Sequence, residues 1–174
     1  MITIDVERHG LVAVEEDDER ACFVEAGRLR ARRAAPEGSG RPVRVLVEVQ
    51  RRFGGLAPRA LLGARFLPVP TTDIVFEVDC APGGASAACP SRLWSRPFTV
   101  GLPEEFASAV LDALLADATP WPAGVLRVDR AGFDEIESSE VVFGQAAGVL
   151  ACAMAAMLRE QDLEAAVRAV MGTW

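Results

Sequence analysis

No charged side chain occurs between Val141 and Leu158, and that run constrains the fold more than any other segment. It has the length at which a membrane span must be weighed. Its many Ala and Gly residues make it only weakly hydrophobic, and Ser138 and Ser139 stand before it as helix caps. A core helix is therefore expected, and no membrane association. A helix that is apolar nearly all round has to be covered all round, by layers of its own chain or by a partner. Gly144, Gly148, Cys152 and Ala156 recur every four residues along it, a stripe of small side chains that lets another element approach closely.

The covering layer is expected to be a sheet. Val43, Val45, Val47 and Val49 alternate with Arg44, Leu46, Glu48 and Gln50, and Ile74, Phe76, Val78 and Cys80 alternate with Asp73, Val75, Glu77 and Asp79. One apolar and one largely polar face marks antiparallel strands covered on one side. Residues 2–7, 11–14 and 21–24 predict an N-terminal meander with an acidic turn at 15–19, and the prolines and glycines of 34–42 predict a linker. Residues 51–71 read as a long connection with one helical turn near 58–64. Strands are expected at 95–100 and 125–130. Pro103, Glu104 and Glu105 suit the start of a helix ending near Asp117, and Asp162 suits the start of a last amphipathic helix. Strands, helix, strand and helix in that order predict an α+β two-layer sandwich. It comprises an N-terminal β extension over 1–35 and a main domain over 43–174.

With 174 residues, half of them apolar, the chain can build one sizeable core. All 18 basic residues are Arg, and Lys, Asn and Tyr are absent, which points to a GC-rich genome such as an actinobacterial one. The absences also exclude chemistry. A chain without Lys has no phosphate-loop lysine, Schiff base or Ser–Lys dyad. One histidine, His9, cannot supply a paired-His metal helix, and no G-x-S-x-G surrounds a serine. No catalytic residue, metal or cofactor is expected. The four cysteines lack C-x-x-C spacing, and the charged opening residues are not a signal peptide, so a reduced, cytoplasmic protein is expected. Cys80 and Cys89 flank a loop that can bring them together as a disulfide or leave two thiols.

The second half has a recognisable pattern. VGLPEEFASAV is followed by a helix, a turn, a strand and then DEIESSEVVFGQAAGVLA. Glu105, Phe106, Ala109 and Val110 in the first helix, the run Glu135–Glu140, and Phe143, Ala146 and Ala147 in the second resemble the fourth domain of elongation factor G. The similarity runs over residues 95–156 and is fainter over 43–80. The resemblance implies an α+β sandwich shared with a small-subunit ribosomal protein, with a left-handed crossover. It also implies a role at the ribosome or another structured RNA, reached by two tip loops, without any GTPase. One tip maps to Ala131, Gly132, Phe133 and Asp134, where the family has a histidine at the position of Asp134. The other lies within 51–71, where Arg51, Arg52, Gly54 and Gly55 stand for a basic glycine-rich loop and Ala57, Pro58 and Arg59 depart from the family pattern.

Charge is unevenly spread. The formal net charge is −7, which excludes a protein that coats nucleic acid, and no DNA partner is expected. Residues 28–65 nevertheless carry ten Arg against two Glu. Arg51, Arg52 and Arg59 are the chosen phosphate contacts, because guanidinium binds phosphate in a planar fork. Gly54, Gly55, Phe133 and Asp134 complete the candidate RNA tips. Trp94 and Trp121, beside turns, are candidates for a partner or ligand surface. The alternative is a protein-interaction or small-molecule module that keeps only the fold, and the small-residue helix allows a homodimer.

Overall fold

The structure, a computed structural model, describes residues 1–16, 18–36, 40–82 and 88–174. They form one mixed sheet of nine strands and three helices, an α+β arrangement. The strands are β1 (Ile2–Val6), β2 (Gly10–Glu16), β3 (Gly27–Ala34), β4 (Val43–Arg51), β5 (Arg59–Pro68), β6 (Asp73–Cys80), β7 (Ala88–Cys89), β8 (Phe98–Val100) and β9 (Gly124–Phe133). The helices are α1 (Glu104–Ala116), α2 (Glu140–Leu158) and α3 (Leu163–Met171). The main path across the sheet is β1-β2-β4-β5-β9-β6-β3, with β7 and β8 added beside β9. Neighbours are antiparallel except β6 and β9, which run parallel and are joined through β8 and α1.

The alternating valines of β4 and the Ile74, Phe76 and Val78 positions of β6 face the helices, as their period requires. The uncharged run is α2. It packs on β4 and β5 and lies between α1 and α3 in the helix layer, so that two-thirds of it is buried. Its small-residue stripe faces the other helices. A Cβ on Gly144 would meet Ala109 and Ala113 of α1, and one on Gly148 would meet Val170 of α3. Ser139 caps α2 by accepting from the Val142 N–H, and Asp162 caps α3 by accepting from the Ala165 N–H.

Three expectations give way. The N-terminal segment is not a meander beside the domain: β1 and β2 extend one side of the sheet through β4, while β3 crosses to the far side and pairs with β6. The third strand lies at 27–34, where Leu29, Ala31 and Arg33 point to the helix layer and Arg28, Arg30 and Arg32 point away from it. Residues 51–71 hold no helical turn. Their middle part, Arg59–Pro68, forms β5, at the centre of the sheet and buried on both faces from Arg59 to Ala64. A strand covered on both faces shows no alternation, and a short apolar run of that kind cannot be told from a helix by period alone. The expected turn at 131–134 is still strand through Phe133, and the chain turns over 134–138 instead. The linker at 34–42, the acidic turn at 15–19 and the loop between Cys80 and Cys89 lie partly outside the described residues. Both of those cysteines carry free thiols.

Candidate nucleic-acid interface

The β4–β5 hairpin and the β9–α2 turn come together at one end of the sheet. The hairpin closes through Gly54 and Gly55, both at positive φ (+54° and +87°), with Phe53 and Leu56 exchanging backbone hydrogen bonds on either side. Two left-handed residues in succession match the twist of the flanking strands, which is what the Gly-Gly pair supplies. A Cβ on either glycine would meet open space, so the backbone conformation demands glycine and crowding does not. Arg51 lies over the Trp174 ring at 4.7 Å. Arg52 is exposed and forked onto Asp5 at 2.8 Å, which ties the hairpin to β1. A concavity of about 410 Å³ opens between the hairpin and Leu11 and Gln50.

The second turn is bound to the first. The Arg59 N–H donates to the Glu137 carbonyl at 3.1 Å, and the Ser138 hydroxyl donates to the Arg59 carbonyl at 2.6 Å. Asp134 Oδ1 accepts from the N–H groups of Ile136 and Glu137, shaping the turn as short carboxylates do. Sequence reasoning assigned Ser138 only a capping role. Its contribution here is to join two segments nearly eighty residues apart.

Arg59 is not a phosphate contact. Its side chain is 1% exposed and every arm is engaged: Asp134 Oδ2 at 2.6 Å, the Arg96 carbonyl at 2.7 Å and the Pro97 carbonyl at 2.9 Å. The Trp94 and Phe98 rings lie 5.0 Å and 4.3 Å from its guanidinium carbon. Its place in the fully buried central strand is the reason, since a charge there must be paired with ions and dipoles of the same fold. Asp134 is likewise the counter-ion of Arg59 and Arg96. Phe133 is buried against Phe106, with ring centroids 6.2 Å apart, and has no face free for a base. Arg51, Arg52, Gly54 and Gly55 remain at the surface. Trp94 and Trp121 do not share a groove: Trp94 belongs to the Arg59 cage at one end of β9, while Trp121 is buried against Phe66 at the other.

Carboxylates and arginines are paired across the sheet face away from the helices. Asp73, Glu77 and Asp79 alternate on β6, but Asp79 is bound by Arg28 at 2.6 Å and Arg127 at 2.7 Å, and Glu77 lies 3.5 Å from Arg30. Arginine thus occupies the oxygens that a cation would need. Burial works to raise the Asp79 carboxyl, but the hydrogen bonds from Arg127 and Arg28 outweigh it and hold the group below the ordinary carboxylate range. Asp134 is shifted the same way, burial being overcome by Arg59 and the two turn N–H groups. A carboxyl depressed in the fold contributes stability above its unfolded pKa, near 3.9, and that contribution is lost as pH falls through the folded value. Thermal unfolding followed by circular dichroism should therefore be flat from pH 7 to about pH 5 and fall steeply below about pH 4.

One arrangement was not visible in the sequence. On this same face Arg30, Glu77, Arg127, Arg65 and Arg44 are direct cross-strand neighbours in a single row over β3, β6, β9, β5 and β4. Segments 88–100 and 18–24 cover the half of the face nearer the tip, where Leu46, Leu61, Phe98 and Val100 form a second small core. The arginine row lies in the other half. Comparison of the chain with protein-family models, curated proteins and solved structures returns no match.

Proposed function

We propose that this chain is a non-enzymatic RNA-binding protein that acts at the ribosome or another structured RNA, built on the plan of the elongation factor G fourth domain. The observation that supports this reading most is the joining of the two candidate tips, which the resemblance places in segments far apart in sequence. They meet at one end of the sheet, pinned by the buried Arg59–Asp134 pair and the Ser138 bridge. The parallel β6–β9 pair, joined through α1, is consistent with the crossover that such a plan requires. The tip presents Arg51, Arg52 and Phe53 on a short hairpin, two charges for phosphate and one ring for a base. The test is co-sedimentation with bacterial ribosomes at low salt. Replacing Arg51 and Arg52 by Gln and Phe53 by Ala should lower bound protein several-fold while leaving thermal unfolding unchanged. Undiminished binding would remove the tip from the interface.

A second reading is favoured by one feature of the same end. Phe53, Leu56, Ile136 and Val141 are between 60% and 79% exposed, a concentration of large apolar side chains on two turns and the start of α2. A protein-interaction module would use these, and its binding would ignore salt while being abolished by Phe53→Ala with Leu56→Ala.

A further inference from the structure

We propose that the uncovered half of the sheet face is a phosphate-binding platform, on which Arg44 and Arg65 contact successive phosphates of an RNA chain. This rests on the RNA reading above and adds a contact surface separate from the tip. Arg44 is registered opposite Arg65, and Arg65 opposite Arg127. Like charges placed directly across strands repel one another, so three in a row disfavour the sheet unless anions lie over them. The anion over Arg44 is poorly suited to the task. Arg44 is met by Glu19, which is 76% exposed, whereas Arg127 is held by the buried Asp79 at 2.7 Å and shares Glu25 with Arg28. Arg65 is paired through its Nε with Asp129 at 3.2 Å, and its side chain stays 40% exposed.

A phosphate displacing Glu19 would meet the outer nitrogens of Arg44, and the next phosphate would meet the exposed part of Arg65. At about 4.8 Å per strand, the row from Arg30 to Arg44 spans about 19 Å, which suits several phosphates in sequence better than one free anion. Beside it runs an aliphatic row, Val75, Val125 and Leu67, with Leu67 43% exposed. That row gives sugars and base edges an apolar surface. It holds no aromatic ring, so binding should tolerate many sequences. Arg32, registered opposite Val75, extends the positive rim.

The test compares three forms of the full chain for affinity to 30S ribosomal subunits over a salt series. Arg44→Gln with Arg65→Gln should weaken binding about tenfold at low salt and flatten the log K against log salt slope by about 1.5. Glu19→Gln, which frees Arg44, should strengthen binding two- to threefold, a gain that misfolding would not produce. Circular dichroism checks that both variants keep the fold. Wild-type affinity and slope in the double variant would overturn the platform and leave the RNA reading standing. Weakened binding with an unchanged slope would also overturn it, because the contact would then be a protein surface. No binding by the unmodified chain would overturn the platform and the RNA reading together.

Discussion

Replacing Arg59 with alanine is expected to destabilise the protein by about 3–5 kcal/mol, the cost of breaking a buried ion pair and stranding its partner. For a domain of this size that is a fall in Tm of about 10 °C. The size follows from what is left behind. As a charged partner Asp134 keeps only Arg96, whose side chain is 45% exposed, and the Arg96 and Pro97 carbonyls lose their Arg59 donors. Lysine should not rescue the variant. One ammonium cannot serve a carboxylate and two carbonyls at once, nor lie flat between the Trp94 and Phe98 rings. Asp134→Asn should cost less than Arg59→Ala, because an amide oxygen still accepts the turn N–H groups. Denaturant melts of the three variants check the order. A loss below about 1 kcal/mol for Arg59→Ala would mean that the guanidinium is far better hydrated than its burial indicates.

Phe143→Ala is expected to cost a similar amount, about 3–5 kcal/mol. Phe143 is fully buried in the first turn of α2 and stacks on Phe106 of α1, with ring centroids 4.8 Å apart and planes 15° from parallel. Phe106 in turn contacts Phe133 edge-on, so the three rings link two helices to the end of β9 and to the turn that carries Asp134. Truncation leaves a cavity where α1, α2 and the sheet meet, and the surrounding backbone can close it only in part. Val141, two residues earlier and 70% exposed, is the control: Val141→Ala should stay within about 0.5 kcal/mol of the parent.

The legible parts of this fold were those with one buried and one exposed face. The valines of β4, the Ile74–Val78 alternation of β6 and the Pro103 and Asp162 helix starts could be read because each pattern has its own period. β5 was not legible as a strand, since burial on both faces erased the alternation. β3 was missed because its arginines mask the weak apolar face of Leu29 and Ala31, and because an edge strand that pairs across the sheet leaves no local sign of its partner. The site divided in the same way. Gly54 and Gly55 were read as part of a long glycine-rich loop, and the structure makes them the two-residue turn of a hairpin. Arg59 carried the same sequence signal as Arg51 and Arg52, a guanidinium near two glycines. Only its pairing with Asp134, seventy-five residues on, turns it from a candidate contact into a buried anchor. The arginine row was invisible for the same reason, because cross-strand neighbours are set by register between distant segments.

The salt dependence of binding to 30S subunits tests the proposed role most directly. With contacts at Arg44, Arg65 and the two tip arginines, affinity measured between 50 and 200 mM salt should fall with a log–log slope of about −3. No binding at 50 mM salt, or binding with a slope near zero, would contradict an RNA-binding role for this chain.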